Sequence, residues 1–105
     1  MSRSEFRYNK KRKHYAYLFK DVGSFRKNIL ITTKPIVKGH KIKANIPLFR
    51  HPNPNSKQKV YIVNRIYVDD LVCFDVKVLK WKFHPNDKRI IKRLKKKKKV
   101  GIELI

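Results

Sequence analysis

The chain has 105 residues, 29 of them Lys or Arg against 7 Asp or Glu, for a formal net charge of +22. Hydrophobic residues make up 41% and aromatic residues 11%, too much for a purely disordered basic tail and enough for one modest core. Self-repulsion on this scale opposes compaction, so the composition calls for an external counter-charge: a phosphate backbone, an anionic lipid surface or an acidic protein. Phosphate ranks first, because binding it releases condensed counterions.

Cys73 is the only cysteine, which excludes an intrachain disulfide and fits a reducing compartment. The first six residues lack the apolar run of a secretory leader. No stretch approaches the roughly 18 apolar residues of a membrane span. A cytoplasmic protein without a transmembrane segment is the expectation.

Residues 1–14 carry Arg3, Arg7, Lys10, Lys11, Arg12 and Lys13 and read as a flexible basic arm. A single domain is expected over 15–99, with 100–105 a short apolar tail. The aromatic-rich stretch 15–19 is the first predicted strand. Residues 21–24 form a loop, and the β-branched stretch 28–33 follows as a second strand. Ile42, Ala44, Ile46 and Leu48 alternate with Lys41, Lys43, Asn45 and Pro47, a period of two that puts one face to the core. Pro47 has no N–H, which assigns that strand to a sheet edge.

Two prolines make 50–56 a loop. Segments 60–67 and 71–79 are predicted as two further strands, joined at Val68, Asp69 and Asp70. On the second, Val72, Phe74, Val76 and Val78 share a face. Asn86 is a suitable N-cap, with Asp87 complementing the dipole of a helix over about 86–98. Ile90, Ile91 and Leu94 form its apolar stripe. The expected class is α+β, mostly β: a small twisted sheet or SH3-like barrel of about five strands with a basic C-terminal helix.

From 80 to 99 the chain has eleven basic residues and one acid, Asp87. Such a helix follows phosphates, through Lys80, Lys82, Lys88, Arg89, Lys92, Arg93, Lys95, Lys96, Lys97 and Lys98, with Lys10 to Lys13 of the arm adding contacts. Aromatics alternate with these cations. Tyr61 and Tyr67, beside Lys59 and Arg65, are candidates to stack unpaired bases, at about 1–3 kcal/mol per base. Stacking favours RNA, whose looped bases are free. Phe19, Phe74 and Trp81 read as core.

His14, His40, His51 and His84 lack metal-ligand spacing, so no metal and no cofactor is expected. Any of them is chemically able to act as acid or base in phosphodiester chemistry. Asp69-Asp70 reads as a turn, and Cys73 as a small core residue. No phosphate-binding loop, dinucleotide fingerprint or nucleophile elbow is present.

Ile31-Thr32-Thr33-Lys34, then Lys38-Gly39 and the strand 42–48, resemble the MazF/PemK toxins. Those proteins are SH3-like barrels that cut mRNA independently of the ribosome. The resemblance implies a metal-independent endoribonuclease in which Thr32 touches the scissile phosphate and Arg26 is the catalytic arginine. His14 or His51 would supply the acid and base. The chain departs from the family in lacking a Gly-Asp opening on its first strand and in having Lys27, not proline, after Arg26.

The leading expectation is a nucleic-acid-binding protein, RNA ahead of DNA, acting by phosphate contacts and stacking. The alternatives are an endoribonuclease toxin and a ribosome-associated structural protein. An acidic protein partner or antitoxin, and a homodimer, are compatible with the charge.

Overall fold

A computed structural model describes residues 4–35 and 45–96. Its first strand lies inside the segment read as a flexible arm. β1 (Glu5–Asn9) pairs antiparallel with β2 (His14–Val22), setting Phe6 opposite Tyr17 and Tyr8 opposite Tyr15. Phe6 is 4% exposed, and burying such a side chain is worth about 1.5–3 kcal/mol. That gain orders a stretch whose charge suggested disorder.

The expected loop at 21–24 contracts to two residues, because β2 continues to Val22 and β3 (Phe25–Thr32) starts at once. Gly23 takes φ +61° there, a conformation glycine adopts without a Cβ clash and tight hairpins require. A bulge interrupts the β2–β3 register between Leu18 and Lys20.

The expected strand at 60–67 is split. β5 (Tyr61–Ile62) and β6 (Tyr67–Asp70) both pair with β3. Ile62 faces Ile31 and Tyr67 faces Asn28, so residues 63–66 stand opposite only Ile29 and Leu30. Two extra residues bulge out, which bends the strand and turns its distal half. β4 (Ile46–Pro47) pairs with β5 at the edge of the order β1-β2-β3-β5-β4, the edge position that a proline tolerates. Its expected beginning, 42–44, lies outside the described residues, and Asn45, expected to face water, is buried.

No regular strand forms over 71–79. Leu71–Cys73 is a 3-10 turn capped by the Asp70 carboxylate, which accepts from Val72 N at 3.1 Å. The chain then returns across the free edge of β1 through single bridges, Phe74 to Asn9 and Val78 to Phe6. Val72 and Val76 are 76% and 83% exposed and do not share the buried face of Phe74. With β6 on β3 and this segment on β1, only the three-residue turn separates the two ends, so the sheet curls.

The sheet is antiparallel, six-stranded and followed by one helix: α+β, mostly β, with one strand more than expected. α1 (Pro85–Lys95) starts earlier than expected, with His84 as N-cap, its Nδ1 accepting from Asn86 N at 3.1 Å, and Pro85 at N1. The expected helix residues 97 and 98, and the tail 100–105, lie outside the described residues. Asp87 is buried and accepts from Phe49 N at 2.7 Å and Arg50 N at 3.3 Å, locking the 49–50 loop to the helix start.

Both faces of the sheet are covered. Ile91 and Leu94 of α1 pack with Phe6, Ile29, Ile31, Ile62 and Phe83 on one face. Ala16, Leu18, Leu30 and Phe74 fill the other. Among the described residues, no helix is long and apolar enough to cross a membrane.

Candidate nucleic-acid interface

α1 and the segment 77–83 form the walls of a groove of about 620 Å³ over β1 and β2. Its floor is aromatic: Phe6 lies 5.1 Å from Tyr17, 5.7 Å from Trp81 and 5.0 Å from Phe83 between ring centroids. Its rim holds Lys77, Lys80, Lys82, Lys88, Lys92 and Lys95. The apolar stripe of α1 causes this placement, because seating Ile91 and Leu94 on the sheet leaves the flanking lysines at the groove edge. The Lys95 ammonium donates to Tyr17 OH at 3.4 Å and lies 5.2 Å from that ring's centroid.

No ion pair between described residues engages any of the six rim lysines. Glu5, the one acid lining the groove, is held by Arg7. The described acids that form ion pairs with the turn and hairpin cations are Asp21, Asp69 and Asp75. The rim therefore keeps an uncompensated field over an apolar floor.

A second cleft, about 360 Å³, opens beside Trp81. His14 and Thr32 reach it from the facing ends of β2 and β3, and His51 from the loop after β4, together with Lys13, Tyr8, Tyr15 and Gln58. Tyr15 and Trp81 are 4.7 Å apart at 39°, and Tyr8 meets Tyr15 edge-on at 5.1 Å. Burial lowers the pKa of His14, and the charge of Lys34 lowers it further. Burial alone lowers that of His51. Both imidazoles are thus biased toward the neutral form.

Their hydrogen bonding separates them chemically. His51 Nδ1 accepts from Asn53 N at 3.0 Å, so the neutral ring carries its proton on Nε2 and acts as a donor. The His14 side chain makes no hydrogen bond to a described residue and is free to accept a proton. Thr32 Oγ1 accepts from Lys34 N at 3.2 Å, leaving its hydroxyl proton to donate.

The structure brings together three of the four candidate catalytic residues, His14, His51 and Thr32. It leaves Arg26 apart: Arg26 and Thr32 are six residues apart on one strand, about 20 Å at strand rise. The Arg26 guanidinium pairs with Asp21 at 2.9 Å and donates to Gly23 O and Phe25 O.

Of the expected binding residues, Lys80, Lys82, Lys88, Lys92 and Lys95 line the groove, whereas Arg89 and Arg93 on α1 and its C-cap Lys96 are exposed outside it. Lys97 and Lys98 lie outside the described residues. The turn after β1 is divided: Lys13 lines the second cleft, but Lys10 faces Asp75 at 3.9 Å, and Lys11 and Arg12 face Asp69 at 3.7 and 2.8 Å.

Tyr67 is not a free stacking platform, since the Arg12 guanidinium covers its ring at 4.1 Å. Tyr61 is half-buried on β5, 5.9 Å from the Lys59 ammonium. Arg65 sits in the β5–β6 bulge, its N–H donating to Val63 O. Neither tyrosine lines the groove or the cleft; the rings that do include Tyr8, Tyr15, Trp81 and Tyr17, the last shared with the Lys95 ammonium at 5.2 Å.

Asp69, read as a turn residue, is a buried hub. Its carboxylate accepts from Arg12 at 2.8 and 2.9 Å, Asn9 at 2.9 Å and Asn28 at 3.2 Å. Burial alone would raise its pKa, but those hydrogen bonds and the Arg12 charge outweigh it and hold the group below the ordinary carboxylate value. Sequence reasoning missed this hub, together with Lys77.

Lys13 and Lys80 share one further property. They are the non-glycine residues at positive φ among the described residues, at +60° and +69°. Such backbone costs about 1–2 kcal/mol, and it falls on one lysine of the cleft and one of the groove. Among the described residues, no group of three His, Cys, Asp or Glu could hold a metal ion. Compared with known proteins, the chain matches no family model, no curated protein and no solved structure.

Proposed function

We propose that the chain binds single-stranded nucleic acid, RNA ahead of DNA, along the groove between α1 and the segment 77–83. The observation that carries this reading is the aromatic floor ringed by six lysines without acidic partners among the described residues. Phosphates neutralise the rim and release counterions, while unpaired bases meet Tyr17 and Trp81. A duplex buries its bases, so it gains the rim contacts and forgoes the floor.

The test is a panel of single-stranded RNA, duplex RNA and duplex DNA, each titrated at two salt concentrations. Single-stranded RNA should bind tightest. The variant Lys88→Gln/Lys92→Gln/Lys95→Gln should flatten the logarithmic salt dependence by about 2, at about 0.7 per lost single-strand phosphate contact. An unchanged slope, or no binding to any of the three, overturns the reading.

A second reading, metal-independent RNA cleavage, draws on the convergence of His14, His51 and Thr32. Labelled RNA in excess chelator separates the two: fragments lost in His14→Ala support cleavage, and a shift without fragments leaves binding alone.

A further inference from the structure

The cleft beside Trp81 has a composition different from that of the groove. The groove is dominated by lysine charge and aromatic rings. The cleft combines aromatic surface and one cation with hydrogen-bonding side chains, of which His51 is held by a backbone N–H. We infer that it is a single-nucleotide pocket: it seats one unpaired base of the strand lying in the groove against Tyr15 and Trp81, reads that base's edge with His51 and Gln58, and holds its phosphate with Lys13. This inference rests on the nucleic-acid reading and adds base selection to it.

Six observations support the assignment. Trp81 lines both cavities, so the groove and the cleft meet at one ring and a single strand can reach both. Tyr15 is 41% exposed although its ring packs against both Trp81 and Tyr8, which leaves aromatic surface open in a wall already held in place. The bond from Asn53 N fixes the His51 tautomer, so the ring meets a ligand as a donor at Nε2 and rejects a donor there. Gln58, on the same lining, carries a donor and an acceptor on one amide, the complement to a Watson–Crick edge. Lys13, which lines the cleft, has left-handed backbone at φ +60° in the turn, strain of the kind that collects at ligand clamps. A volume of about 360 Å³ falls within the range of small-ligand pockets.

Trp81 is the only tryptophan in the chain and lines both cavities, so its fluorescence reports a base in either one. Substitutions at Gln58 and His51, which line the cleft and not the groove, assign the response to the cleft. The experiment titrates the full chain with AMP, GMP, CMP, UMP and inorganic phosphate, and in parallel with homopolymeric RNA and heparin. The nucleotides should quench Trp81 saturably and inorganic phosphate should not, with about a five- to tenfold spread in affinity among the four bases, the value of one or two selective hydrogen bonds. Gln58→Ala and His51→Ala should each narrow that spread to about twofold, with an unchanged far-ultraviolet circular dichroism spectrum and an unchanged salt slope for heparin.

Equal quenching by all four nucleotides, a spread that survives both substitutions, or no nucleotide response in a chain that still binds RNA overturns the pocket and leaves the groove standing. Selective quenching by nucleotides in a chain that ignores RNA and heparin supports the pocket and overturns the groove.

Discussion

The turn after β1 and the helix α1 are both densely basic, and they use their charge in different ways. In the turn, Arg12 and Lys11 are drawn to a carboxylate that is fully buried, and Lys10 faces Asp75. In the helix, the acid Asp87 turns inward to cap the 49–50 loop and leaves Lys88, Lys92 and Lys95 unpaired among the described residues. Equal charge in sequence is therefore unequal charge at the surface. In the turn, Lys10, Lys11 and Arg12 serve tertiary structure, while the helix leaves Lys88, Lys92 and Lys95 without acidic partners among the described residues.

The sharpest way to break this contrast is to remove Asp69. Asp69→Ala should destabilise the fold by about 3–5 kcal/mol, the usual cost of leaving the partner of a buried pair uncompensated. The lower end is expected, because Arg12 keeps 22% of its side chain exposed. Chemical denaturation measures it. The pH dependence supplies the sign: a carboxyl whose folded pKa lies below its unfolded value of 3.8 stabilises the fold above that value and ceases to as pH falls through the folded one. Asp69→Asn should abolish that acid limb, and a variant that keeps it would show that another carboxylate is responsible.

The mirror experiment is on the helix. Asp87→Ala removes the acceptor for two backbone N–H groups, Phe49 at 2.7 Å and Arg50 at 3.3 Å. A cost of about 1–3 kcal/mol is expected, smaller than for Asp69 because these N–H groups can turn to water. The groove lysines should keep their salt slope on RNA in this variant. A collapse of binding would mean that Asp87 sets the groove's shape as well as its stability.

How much of this was legible in the sequence depends on the reach of each interaction. The apolar stripe of α1 could be read from spacing alone, and Ile91 and Leu94 are buried as expected. Pro47 marked an edge strand by its missing N–H, and β4 is at the edge. β1 was hidden because Arg3, Arg7 and Lys10 to Lys13 dominated the composition, although Phe6 and Tyr8 already showed a period of two.

Val72 and Val76 misled because a β-branched run looks like a strand whether or not a sheet edge is straight enough to receive it. The Asp69 hub was beyond reach. Its partners Asn9 and Arg12 are 60 and 57 positions away, and no local rule separates a buried Asp-Asp from a turn. The rim of the groove was largely anticipated, through Lys80, Lys82, Lys88, Lys92 and Lys95. The aromatic platform was assigned to Tyr61 and Tyr67, whose neighbours could not be seen without the fold.

Arg26 offers the smallest effect and the most discriminating one. It pairs with Asp21, which is 49% exposed, across the β2–β3 hairpin, and exposed pairs contribute about 0–1 kcal/mol. Arg26→Ala should therefore lower stability by less than about 1 kcal/mol and leave both RNA affinity and its salt slope unchanged. Any cleavage of RNA should survive as well, because the arginine sits at the far end of β3 from His14, His51 and Thr32. Loss of cleavage in Arg26→Ala with affinity intact would bring a distant hairpin into the reaction. That result would require the site to be completed by the arginine of a second copy of the chain, since the length of β3 keeps its own Arg26 away.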